Sequence, residues 1–198
     1  MQKTSNYLNE LTQTVEQIIN TVEAITQSHP KAQLAQRPAP DRWSVLDNLE
    51  HLNLYGDFYL PTFEQTIERG RQQGLQPREN YKAGWLGSYF AKSMRPKRGN
   101  IANRMKTFKS KDPVLTEVPD NVVERFLEQQ QKLLRLLQQA EQTDIQKLRM
   151  PTTLGSFPKI RLGDAFAFFI AHEERHMLQI QRAMDSLSLE VKPTMRWG

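Results

Sequence analysis

Apolar residues recur at helical intervals in four separate stretches of the chain. In the first, Leu8, Leu11, Val15, Ile18, Val22 and Ile25 alternate spacings of three and four, which predicts a helix with one narrow buried seam. It should stop before His29-Pro30, because a residue preceding proline avoids the helical region. Pro30, Pro38 and Pro40 then mark residues 30 to 42 as a crossing loop. The second stretch opens on Ser44, a natural N-cap with Asp47 at the capping-box distance. Val45, Leu46, Leu49, Leu52, Tyr55, Phe58 and Tyr59 give it a broad apolar face. Pro61 lacks an amide donor and is expected to kink this helix, which should run to about Arg69 and end at Gly70.

Residues 71 to 119 carry Gly74, Pro77, Gly84, Gly87, Pro96, Gly99, Pro113 and Pro119, and read as one long connection. Connections of that length are uncommon in compact domains and often carry function. Short helical turns are expected near Gly84–Met94 and Ile101–Phe108. The third helix starts after Pro119 with Asp120 as cap and shows Val123, Phe126, Leu133, Leu134 and Leu137. A loop through Pro151, Gly155 and Pro158 leads to the fourth, expected from Lys159 to Leu187, with Leu162, Phe166, Phe169, Ile170, Ile180 and Met184 on its buried side. No alternating strand pattern of useful length and no repeat stands out. The pattern predicts an all-α chain, residues 1–198 forming one domain built as a four-helix bundle, with 188–198 as a tail.

Composition narrows the chemistry. There is no cysteine, which removes disulfides, thiolate ligands and a cysteine nucleophile; any thiol chemistry would need the thiol of a substrate. No run is apolar enough to span a bilayer and the polar start is not a signal peptide, so the expected address is the cytoplasm, with no membrane partner. The net charge of +5 is concentrated in one place. Of the 27 Lys and Arg, nine lie between Asn80 and Lys111, where there is no Asp or Glu; elsewhere 18 basic side chains face 22 acidic ones. That segment reads as a solvated connection or as a rim attracting an anionic ligand. Nucleic acid is the weakest of the partners it suggests: Trp85, Tyr89, Phe90 and Phe108, interleaved with the charges, could equally anchor the segment to the core.

The chain has four histidines. His172 and His176 lie one helical turn apart, on the face that also carries Phe169 and Ile180. His51, on the second helix, shares a face with Leu54 and Phe58. Three imidazoles therefore point into the bundle from two helices, whereas His29, beside Pro30, should be an exposed bystander. Packing imidazoles side by side gains little unless something bridges them. Three neutral imidazoles with one open position suit a catalytic divalent metal: zinc or nickel foremost, then iron, cobalt or manganese.

His172-Glu173-Glu174-Arg175-His176 also spells the zincin protease pattern, which needs Glu173 as general base and a third ligand downstream. No histidine follows His176, and an all-helical chain lacks the substrate edge strand. Glu173 is therefore expected at the helix surface or rim.

Trp43-Ser44, Glu50-His51-Leu52 and His172-x-x-x-His176-x-x-Gln179 together resemble the DinB/YfiT-like superfamily. Gly84-Trp85-Leu86, Pro96 and Phe126 are similar to its second DinB-like domain group, so that the resemblance spans about residues 6 to 187. It implies an up-down-down-up order of the four helices, a divalent metal on His51, His172 and His176, and frequent dimers. It also implies activity as an S-transferase using a low-molecular-weight thiol, or as a metal-dependent hydrolase. Asp47 and Gln179, each one turn from a histidine, are candidates to orient an imidazole or a bound water. Arg95, Lys97 and Arg98 are candidates to bind the carboxylates of a thiol cofactor. The expected partner is a small-molecule substrate, with a homodimer as a second association. The rival reading is a non-enzymatic bundle that binds metal or simply dimerises.

Overall fold

The computed structural model describes residues 1–96, 107–115, 118–153, 155–190 and 197. Four long helices dominate it: α1 (Thr4–Ser28), α3 (Val45–Gln72), α5 (Val122–Ala140) and α6 (Leu162–Ser186). Two short ones, α2 (Lys31–Leu34) and α4 (Trp85–Met94), sit in the connections. Of the two expected turns in the long connection, α4 is the first. The second, at Ile101–Phe108, falls mostly outside the described residues, and a 3-10 turn follows at Lys109–Lys111. α3 continues as one helix through Pro61, where a kink was expected.

The helix directions follow from which ends meet. Along α3 and α6 the partners run in opposite order, from His51 beside His176 to Phe63 stacked on Phe166 at 4.1 Å between ring centres. Along α3 and α5 they run in the same order, from Arg125 against Glu50 to Lys132 against Glu64. The Tyr7 hydroxyl donates to the Gly163 carbonyl, and the far end of α1 meets Glu190, so α1 is parallel to α6. Lys31, just past α1, pairs with Asp120, just before α5, so those two are antiparallel. The order is up-down-down-up, and the parallel pair α3–α5 explains the long connection: the chain must return the length of the bundle before α5 can start.

The fourth helix begins at Leu162, later than the sequence pattern suggests. Strands β3 (Arg149–Thr152) and β4 (Gly155–Arg161) form an antiparallel hairpin in front of it, with Met150 opposite Ile160. Only Met150, Thr152 and Ile160 of this hairpin are buried among its described side chains, too few to print an alternation. Pro158 is tolerated because its strand is an exposed edge. A second small pair joins β1 (Gln2–Lys3) to β2 (Asn80–Tyr81).

The core runs the length of the bundle. One part gathers Val15, Tyr59, Phe63, Leu133, Phe166 and Phe169; the other gathers Ile18, Leu49, Leu52, Phe126 and Ile180. The histidines lie where α3 and α6 pass between the two.

Candidate metal centre

The N-terminal half of α3 is fixed by its cap. Ser44 Oγ accepts from the Asp47 amide at 3.0 Å and the Asp47 carboxylate accepts from the Ser44 amide at 2.9 Å, a complete capping box. Arg37 clamps the same carboxylate, with Nε at 2.7 Å and Nη2 at 2.9 Å. Burial alone would raise the Asp47 carboxyl, but the bonds from Arg37 and Ser44 outweigh it and hold the group below its ordinary value. Asp47 thus secures the helix start and makes no bond to an imidazole. The residue that does is its neighbour Asn48, whose amide nitrogen donates to the Ser44 carbonyl at 2.8 Å and whose Oδ1 accepts from His176 Nδ1 at 2.9 Å.

One turn on, His51 Nδ1 donates to the Lys111 carbonyl at 2.7 Å. Lys111 is itself tied to α3, its Nζ donating to the Leu54 carbonyl at 2.5 Å. The end of the long connection is thereby pressed against the histidines. Both bonds fix tautomers: His51 and His176 carry their proton on Nδ1 and a lone pair on Nε2. Those two lone pairs point at His172 Nε2, 3.3 Å from His51 and 3.1 Å from His176. The ligand atoms of the three lie within 4.8 Å of one another, the one such cluster of three among the described residues.

All three imidazoles are buried. Burial lowers each pKa, that of His51 to about 4 and the other two well below the ordinary value, so the rings are neutral at physiological pH. His172 Nδ1 has no hydrogen-bond partner among the described residues. Without a cation the cluster is poorly satisfied. The single proton of His172, placed on Nε2, would serve two facing lone pairs and leave Nδ1 bare. A cation at the meeting point uses all three lone pairs. These residues could therefore hold a metal, and their donor set fits a borderline ion.

Trp43 stacks on His176 at 5.8 Å and leans over His51 at 4.8 Å between ring centres, while Tyr55 lies 4.6 Å from His172. Beyond the imidazoles a cavity of about 1050 Å³ opens between the start of α3, the Thr107–Phe108 segment and α6. Arg175, Gln179 and Arg182, at successive turns of α6, line it.

Other expected positions lie elsewhere. Glu173, placed by the sequence at the surface or rim, is fully buried against α5, where its Oε1 accepts from Gln130 Nε2 at 2.7 Å. Burial pushes its carboxyl up to about 8. It does not line the histidine cavity, so the general-base role of the zincin pattern has no geometric support. Gln179 does line the cavity. Arg95 pairs with Glu174 at 3.2 Å in a different cleft, beside Tyr7 and Tyr81, and Lys97 and Arg98 lie outside the described residues. His29 is half-buried, with Nε2 3.0 Å from the Glu190 carbonyl, rather than an exposed bystander. The sequence reading missed Asn48 and Arg175. Each is a polar residue three positions from a histidine on an apolar helix face, which was the signal available.

No curated protein matches the chain. Among solved structures it is similar to YfiT from Bacillus subtilis, described as a probable metal-dependent hydrolase with an unusual four-helix bundle topology. The two share 14% identity and a TM-score of 0.54, over 92% of this chain and 89% of that one, a likeness of fold. Residues 10–180 match the family pattern of the DinB superfamily. With that match over most of its length, the chain belongs to the DinB superfamily.

Proposed function

We propose that the protein is a divalent-metal-dependent enzyme of the cytoplasm, its ion held by His51, His172 and His176, acting as a hydrolase or as an S-transferase that uses an external low-molecular-weight thiol. The observation that carries this is the meeting of three Nε2 atoms, two with their tautomer fixed from behind, at the wall of a large cavity. A divalent ion there supplies Lewis acidity and lowers the pKa of a nucleophile brought to it. Zinc, nickel, cobalt and iron(II) suit three imidazoles; manganese prefers oxygen donors and suits them less.

The chain's own residues do the rest. The Lys111 carbonyl and Asn48 set the ring orientations, Trp43 and Tyr55 cover the rings, and Arg175 and Gln179 orient polar groups of a substrate. The description of YfiT supports the hydrolytic arm. The absence of cysteine fits the thiol arm, since the thiol would arrive with the substrate.

Metal analysis of the purified protein comes first: wild type should carry stoichiometric metal and the His51→Ala/His172→Ala variant almost none. Equal, weak binding by both would sink the reading. Ester and amide substrates, and a panel of thiols offered with a chlorodinitrobenzene electrophile, then separate the two activities. Metal without turnover in either panel leaves a non-enzymatic metal-binding bundle.

A further inference from the structure

Helix α4 is apolar on two sides. Its inner face, Leu86, Gly87, Phe90 and Met94, packs on α6, with Phe90 at 6.2 Å from Phe168 between ring centres. Its outer face carries Trp85 and Tyr89, one turn apart and 83% and 65% exposed, followed by exposed Lys92. A surface helix normally turns charged and polar residues outward.

The β3–β4 hairpin adds to the same side. Arg161, at the end of β4, lies against Gly84 and donates to the Lys82 carbonyl, joining the strand to the start of α4. Two residues back along the strand is exposed Lys159, and two further back Phe157 is 86% exposed. The sequence contains no Asp or Glu between Asn80 and Lys111, and none between Ile145 and Gly163. Two segments far apart in the chain, each basic and each with exposed aromatic rings, are thus brought side by side. Lys82, Lys92 and Lys159 form no ion pair within the described residues.

We propose that this face, built from Trp85, Tyr89, Phe157, Lys82, Lys92 and Lys159, docks the protein on an anionic lipid surface. Aromatic rings beside lysines are the combination that settles at a bilayer interface, the rings at headgroup depth and the ammonium groups on anionic lipid. A second copy across a twofold axis would set basic against basic. A nucleic-acid strand would be expected to follow a groove, and here the rings stand on the outside of a helix and on an exposed strand. The sequence offers no membrane span, and docking of this kind needs none. The proposal does not depend on the metal reading.

Sedimentation with vesicles tests it at low salt, using an equal mixture of phosphatidylglycerol and phosphatidylcholine against phosphatidylcholine alone. Binding is expected to the anionic vesicles only, with a blue shift of tryptophan emission as Trp85 leaves water. It should weaken at least about tenfold in Trp85→Ser/Tyr89→Ser, and by as much in Lys82→Glu/Lys92→Glu/Lys159→Glu. Circular dichroism and thermal melting confirm that both variants stay folded, as expected because every changed side chain is exposed. Absence of vesicle binding overturns the proposal, as does equal binding by wild type and the folded variants. Preferential binding of a thymidine oligomer over the vesicles assigns the face to nucleic acid and overturns it too.

Discussion

Two sides of α6, one residue apart in sequence, show opposite treatments of a polar group. On the cavity side, His172 and His176 put their Nε2 atoms into a shared point, and His176 is held from behind by Asn48. On the α5 side, Glu173 is sealed in the bundle with Gln130 as its partner, and among the described residues both Glu173 Oε2 and Gln130 Oε1 are left without a donor. A proton on Glu173 supplies the missing donor, in keeping with its raised pKa. The first arrangement gathers lone pairs toward an open volume; the second pairs a neutral carboxyl with an amide. The five-residue pattern therefore belongs to two environments, because 100° of helix rotation separates Glu173 from His172.

The largest expected effect tests the cavity side. Asn48→Ala frees the His176 ring from its fixed tautomer and should weaken metal binding about 10- to 100-fold, read by competition with a chelator, with little change in the helical spectrum. Unchanged affinity would break the comparison, since His176 would then need no support.

Gly87→Ala probes how closely α4 sits on α6. An added methyl would lie 2.2 Å from Asp164 Cβ, on a side chain already held by Tyr81 and the Gly84 amide, and has nowhere to go. The variant should lose about 1–3 kcal/mol in denaturant unfolding, with metal binding intact. Equal stability would mean that α4 rides loosely on α6.

A smaller effect is expected at Asp47, next to Asn48 but with a different task. Asp47→Asn should cost about 1 kcal/mol at neutral pH through the cap and the Arg37 pair. The Asp47 pKa is lowered on folding, so its contribution is present above the ordinary carboxylate range and is lost as pH falls through the folded value. The gap between variant and wild type should therefore close in acid. A gap that widens there would contradict the assignment.

Glu173→Gln sharpens the other side and should do least. A glutamine amide can pair with Gln130 as the protonated carboxyl does, so stability, metal content and any turnover should stay near wild type. A collapse of activity with metal retained would return Glu173 to a catalytic role.

Much of this was legible beforehand, and the reasons differ by element. The seam from Leu8 to Ile25 and the broad face after Ser44 report burial through periodicity, and a capping box is a local bond, so α1 and the start of α3 could be read directly. The β3–β4 hairpin could not, because three buried side chains split over two strands carry no period and its prolines and glycine read as loop. The inward turn of His51, His172 and His176 follows from helix faces alone.

What the amino-acid sequence determined by itself is therefore the four long helical stretches, the absence of thiol ligands and the three histidines as a set. Only the tertiary structure decided which atoms serve them. The Lys111 carbonyl reaches His51 across 60 positions and Asn48 reaches His176 across 128. Such bonds depend on how α3, α6 and the returning connection pack, and no local pattern encodes them. The same packing buried Glu173, and set Lys82 and Gly84, before α4, beside Arg161 of the hairpin.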